Sequence, residues 1–235
     1  MPTAGRDPAH DEGERMADVE VHPGQRAVVE LLGVLAYAEL TAFDRLAEDA
    51  RLAPTLDGRA ALARMAAAEI AHHERLTARL HELGVDVVAA MTPFVAALDA
   101  FHDGTRASTW LEGLVKAYVG DGLATDFYRE VAVFLPAPDR ALVEEVLADS
   151  GHADFALREV RAAIAADPAV TGRLALWARR LVGEALTQSQ AVMAEHDDLA
   201  DLIISGTGDL TGVGALLQRI TRAHMVRMDA LGLPS

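Results

Sequence analysis

An acid followed three residues later by a histidine is the simplest helical pattern that offers a carboxylate and an imidazole to one metal ion. Positions i and i+3 project side by side from the same helix face. The chain holds this pattern four times, as Asp7/His10, Glu69/His72, Asp99/His102 and Asp149/His152. The first falls in a polar N-terminal stretch and the third in a short piece between longer helical periods. Glu69/His72 and Asp149/His152 fall midway along long apolar periods, where such groups are costly unless paired, hydrogen-bonded or metal-bound. Two further acids lie upstream of them. Glu39 is in phase with Leu32, Leu35, Phe43 and Leu46, and Asp121 is in phase with Leu114, Ala117 and Tyr128. Glu39 precedes Glu69 by 30 residues and Asp121 precedes Asp149 by 28, while both acid/histidine pairs are offset by 80. A duplicated helical hairpin produces such spacing.

One acid from each of two helices, with an acid-x-x-His from each of two others, is the ligand set of a carboxylate-bridged di-metal centre in a four-helix bundle. Two neighbouring divalent cations need about four carboxylates to offset their charge. One imidazole per metal suits iron, and the oxygen-rich set also suits manganese. The expected metal ligands are therefore Glu39, Glu69, His72, Asp121, Asp149 and His152, with no catalytic residue beyond them. The competing reading, solvated or ion-paired helix residues, requires six positions to coincide in face, spacing and half-repeat. Other residues read more plainly. His73 points to the helix flank, and Asp44, Glu48 and Glu74 to solvated faces. Asp126, the rival acid on the third helix, shares a wetter face with Arg129 and Glu130. His224, beside Leu217, Ile220 and Met228, reads as a hydrogen-bonded core histidine. Glu184 and Tyr37, Tyr118 and Tyr128 are candidates to support the ligands from behind, with core filling as the default for the tyrosines.

The elements that must position these groups follow from period and punctuation. Helices are expected over about 25–50, 57–83 with Gly84 as its stop, 109–134, 138–166, 171–196 and 210–231, with a turn at "ISGTGD", 204–209. Between the second and third lie roughly 25 residues with Pro93 and a short helical piece near 94–102, long enough to cross from one end of a bundle to the other. Residues 1–22, rich in charge, proline and glycine, read as a disordered acidic tail ahead of a single domain over 23–235. No segment alternates with period two. The expected fold is all-α, a four-helix bundle with a long crossover between helices two and three and additional C-terminal helices.

Composition narrows the function classes. The net charge of −15 opposes a general nucleic-acid or anionic-membrane binder. The absence of cysteine excludes disulfides, iron–sulfur clusters and thiol catalysis. The N-terminus lacks a secretory pattern and the run "LLGVLAYA" is fenced by Glu30 and Glu39, so a soluble, cytoplasmic protein with no membrane partner is expected.

The segments "STWLEGLVKAYVGDGLATDFYREVA", "YAEL" and "AEIAHHERL" resemble a group of actinobacterial proteins of the ferritin-like superfamily, described as similar to the tRNA isopentenyladenosine hydroxylases. The resemblance covers about residues 25–232. It implies two iron ions that activate O₂ for hydroxylation, the six ligands above, a reductase partner and an organic or tRNA substrate; a homodimer is a further expectation. Asp121 and Asp149 stand where the superfamily usually has glutamate, one methylene longer. The acidic net charge opposes tRNA docking except through local arginines, Arg173, Arg179 and Arg180 on one helix and Arg219, Arg222 and Arg227 on the last. The alternatives are a metal-binding protein that oxidises iron or disposes of peroxide, and a bundle with a degenerate metal site.

Overall fold

The computed structural model describes residues 23–148 and 152–234, with the side chains of Pro23 and His152 outside the description. Ten α-helices and no strand occur among the described residues: α1 (Pro23–Asp49), α2 (Leu56–Glu82), α3 (Val87–Met91), α4 (Val95–Gly104), α5 (Trp110–Ala132), α6 (Ala137–Val146), α7 (His152–Ala166), α8 (Val170–Glu195), α9 (Asp197–Thr207) and α10 (Leu210–Leu231). None alone is long and apolar enough to cross a membrane. The expected acidic tail lies outside the described residues.

Side-chain caps set several starts. Thr55 accepts from the Gly58 amide at 3.1 Å to open α2, and Asp209 accepts from Gly212 at 2.8 Å to open α10. At α5, Thr109 accepts from Glu112 while the Glu112 carboxylate accepts from the Ser108 amide. This reciprocal arrangement satisfies amides that have no partner inside the helix. Gly84, at a φ of 74°, ends α2 with the Val85 amide reaching back to Leu80.

Helices α1 and α2 form an antiparallel hairpin. The crossover is itself helical, α3 and α4 wrapping α1 before α5 begins. The fourth helix expected over 138–166 is two, α6 and α7, broken after Val146. The sequence just beyond it, Asp149-Ser150-Gly151, is three poor helix formers in succession and lies outside the described residues. Arg129 of α5 caps the broken end by donating to the Leu147 carbonyl. The expected turn at 204–209 is mostly the end of α9, with only Gly208, φ 90°, and Asp209 between helices. Glu30 of α1 creates that extra helix by capping it, accepting from the Leu199 amide at 2.8 Å.

The buried apolar residues fall into two clusters. One gathers Leu31, Leu32 and Leu35 with Leu76, Leu80, Phe94, Val131 and Val143. The other gathers Leu46, Leu62 and Met65 with Leu114, Val119, Val160, Leu174 and Leu181. On α1 the interval between them is residues 37–45, on α2 it is 67–75 and on α5 it is 120–130. α8, α9 and α10 pack on this bundle, chiefly against α5 and α1.

Gly33 is where α1 meets α3 backbone to backbone, since a methyl there would run into the Ala90 carbonyl. Glycine to alanine inside a helix normally adds up to about 1 kcal/mol of stability. Overpacking against a backbone that cannot yield costs about 1–3 kcal/mol. Gly33→Ala should therefore lower the urea midpoint at unchanged m-value, and a raised midpoint would show that α3 is free to move.

Candidate metal centre

Glu39, Glu69 and His72 meet in the interval between the two apolar clusters. Glu39, only 8% exposed, sits one turn beyond Leu35 on α1. Glu69 and His72 lie one turn apart on α2, on the face that also carries Met65 and Leu76. The His72 Nδ1 stands 3.3 Å from Glu39 Oε2 and 3.5 Å from Glu69 Oε2. One ligand atom from each of the three lies within 4.8 Å of the others. Next along α2, His73 bonds its Nδ1 to the Ala36 carbonyl at 2.7 Å, which fixes the rotation of α2 against α1, and it is not among the three residues that converge.

Burial chiefly pushes Glu69 up to about 7, and its hydrogen bond with Glu39 adds to the rise while His72 opposes it. Hydrogen bonds to Glu39 and then Glu69 raise His72 to about 9, against the effect of burial. The trio is thus held together by shared protons. A divalent cation binding these atom types at 2.0–2.2 Å spans ligand atoms up to about 4.4 Å apart. The 4.8 Å cluster needs adjustments of only a few tenths of an ångström to close on one. Two carboxylates and an imidazole are a donor set for iron or manganese, so the residues fit the group. Tyr128 of α5 lies behind Glu39, its hydroxyl pKa raised by burial and then by the Glu39 charge.

Asp121 is close to this cluster without joining it. Its carboxyl is held well above the ordinary aspartate value by burial first and by Glu69 second, with Lys116 opposing. By accessible surface Asp121 is nonetheless exposed, and it borders a small, partly open hollow with Arg45, Asp49, His102 and Lys116. Asp149 and the side chain of His152 lie outside the described residues.

The remaining expectations divide. Asp126 does not face water: Arg227 of α10 pairs with it at 2.7 Å, both side chains largely buried. The Nδ1 of His224 is buried with no hydrogen-bond partner among the described residues, contrary to the bonded core histidine expected. Glu184 packs over Gly104 of α4, where a methyl would meet its carboxyl at 3.1 Å. Tyr37 donates to Asp99 at 2.7 Å rather than to a ligand. The hollow had no periodic signature, since its residues come from α1, α4 and α5.

Over residues 23–206 the sequence matches the family described as ferritin-like domain, actinomycetes. The chain belongs to this family. Its ferritin-like fold is shared with a solved protein from Synechococcus that has aldehyde deformylating oxidase activity, at a TM-score of 0.70 and 20% identity, covering 91% of this chain and 93% of that one. At that identity the likeness is one of fold. None of the curated proteins matches the sequence.

The shared protons give metal-free stability a definite pH dependence. Folded Glu69 holds its proton to about 7 and folded His72 to about 9, against about 4.3 and 6.5 in an unfolded chain. The folded state then binds more protons than the unfolded, so stability falls as pH rises. His102 and His224, whose pKa values burial lowers, act oppositely but only below their unfolded value of about 6.5. Lys116, lowered to about 8, opposes only above that pH. Between about pH 6.5 and 8, chelator-treated protein should unfold at progressively lower urea, and Glu69→Gln should flatten the lower part of the slope. Level or rising stability over that range would contradict a proton-sharing cluster.

Proposed function

We propose that this ferritin-like protein is a metal-dependent, O₂-activating oxidase whose centre is built on Glu39, Glu69 and His72. The observation that carries the reading is the convergence of two carboxylates and an imidazole between two apolar clusters, where only a cation or shared protons offset their burial. Asp121 is the neighbouring acid on α5. The corresponding interval along the sequence on the fourth bundle segment, 148–155, contains Asp149 and His152, which we assign to a second metal. Iron held by such ligands supplies electrons to O₂ beside an organic substrate, and manganese is the alternative metal.

The chain's own residues do the rest. Glu69 and His72 give up their protons as the cation takes their place, so binding strengthens with pH. The apolar residues on either side exclude water from the centre. Tyr128 stands behind Glu39 as a buried hydroxyl able to donate to it. For the substrate, a small organic molecule is favoured over tRNA. Arg219 is committed bidentately to Glu130 and Arg227 to Asp126, which removes two of the last helix's cations from phosphate contact.

The test is iron stoichiometry and oxygen uptake of the reduced, iron-loaded protein, with circular dichroism as folding control. Losing groups that merely hold a metal ligand in place costs roughly 10–100-fold in affinity, so His72→Ala, which removes a ligand outright, should weaken iron binding by at least that and lose uptake with the helix content kept. A wild type that binds no iron would reduce the protein to a bundle with a degenerate site.

A further inference from the structure

Lys116 is the only lysine among the 21 lysine and arginine residues of the chain. Every other basic side chain is an arginine, which keeps its charge but never offers a neutral amine. The single amine is not on the surface. It is 8% exposed on α5, and its Nζ donates to the Thr105 carbonyl at 2.9 Å. It lines the hollow already described beside Asp121, with Arg45, Asp49 and His102. The hollow measures about 30 Å³ and is partly open to solvent. One water needs about 10–15 Å³ on this measure, so a head group the size of about two waters fits.

Asp49 and His102 share the hollow with that amine. Asp49 reaches from the end of α1 onto α5 one turn before Lys116. A methyl on Gly113 would stand 3.0 Å from its Oδ2, so the glycine makes room for the carboxyl. Burial pushes Asp49 up to about 6, with Lys116 opposing, and brings Lys116 down to about 8, with Asp49 opposing. On the α4 side, the Thr41 hydroxyl donates to the carbonyls of Tyr37 and Ala38 at 3.1 and 3.0 Å. The 3.2 Å contact with His102 Nε2 therefore has the ring N–H donating to Thr41. That tautomer leaves His102 Nδ1 as a bare acceptor, buried and without a partner among the described residues.

We propose that Lys116 is a carbonyl-capturing amine: a small aldehyde or ketone entering the hollow condenses with its Nζ to an imine. The Nζ lone pair attacks the carbonyl carbon, and the C=O pair moves to oxygen. Asp49 gives that oxygen a proton and takes one from the nitrogen. The carbinolamine hydroxyl, held by His102 Nδ1, then leaves as water with a second proton from Asp49, and the imine nitrogen returns that proton. Amine and carbonyl give imine and one water, with no oxidant or reductant. The inference stands apart from the metal reading and needs no metal for its test.

The experiment treats the full-length protein at pH 7 with propanal and sodium cyanoborohydride, which reduces an imine to a stable secondary amine. The chain's α-amino group is the reference amine in the same molecule. Peptide mapping by mass spectrometry should find Lys116 alkylated with saturation in propanal, ahead of the α-amine by at least about tenfold from proton transfer at Asp49. Asp49→Asn should slow Lys116 by on the order of 100-fold and leave the α-amine rate alone. Lys116→Arg, with unchanged circular dichroism, should label at the α-amine only. Lys116 untouched while the α-amine reacts, labelling without saturation, or an Asp49→Asn rate equal to wild type would each overturn the proposal.

Discussion

The burial of Glu39, Glu69 and His72 between two apolar clusters is the constraint around which the rest of the bundle is arranged. Moving one ion into a protein interior costs several kcal/mol even after relaxation, comparable with a sizeable share of a domain's net stability. The trio offsets this by sharing protons at 3.3 and 3.5 Å, or by a cation in their place. Either solution demands that α1 and α2 hold a fixed rotation and height. His73 on the Ala36 carbonyl fixes the rotation, and the close approach of Gly33 to Ala90 pins α1 against the crossover. The apolar clusters above and below supply the cohesion that the polar layer lacks.

Where the chain obeys local rules, the sequence is legible. The boundaries of α1, α2, α5, α8 and α10 follow from period, caps and Gly84, and Glu39, Glu69 and His72 follow from their phase with leucines on the same helices. Two elements defied this reading for opposite reasons. The end of α6 at Val146 was hidden because the leucine and valine period of Leu142, Val143 and Val146 resumes at Leu157 and Val160. In α9 the Ser205-Gly206-Thr207 stretch looks like a turn, but Phe134 packs over Gly206 and Glu30 caps the start. Tertiary contacts thus keep helical what propensity would release. The hollow was illegible for a third reason: its residues come from three helices and share no period.

Charge is distributed in a way the net value of −15 conceals. The arginines that meet acids across long sequence separations stitch helices together: Arg26 to Asp198, Arg79 to Asp139 at 2.8 Å, Arg219 to Glu130 and Arg227 to Asp126. Exposed pairs of this kind contribute at most about 1 kcal/mol each. The Arg79–Asp139 and Arg227–Asp126 pairs differ, because Asp139 is only 4% exposed and Asp126 and Arg227 are both largely buried, so each acid would stand uncompensated without its partner. These pairings commit four arginines to acids on neighbouring helices, and the net charge of −15 opposes polyanions.

The wheel of α5 explains why its polar residues are hard to assign from sequence. In a simple four-helix bundle each helix keeps one solvated face, and a charge on it needs no interior partner. Here α10 takes that face, as Arg227 on Asp126 and Arg219 on Glu130 show. α8 adds Trp177, whose Nε1 donates to the Glu112 carbonyl at 2.9 Å. Asp121 and Tyr128 turn toward Glu69 and Glu39, and Lys116 turns toward the crossover. Several polar groups on α5 are answered from elsewhere in the chain, Lys116 by the Thr105 carbonyl, Asp126 by Arg227, Arg129 by the Leu147 carbonyl and Glu130 by Arg219. Where such a pair is largely buried, as for Asp126 with Arg227, deleting one partner strands an ion, which costs far more than the pair was worth. α5, the third helix of the sequence reading, is thus the element through which the C-terminal helices, the hollow and the metal centre are mechanically joined.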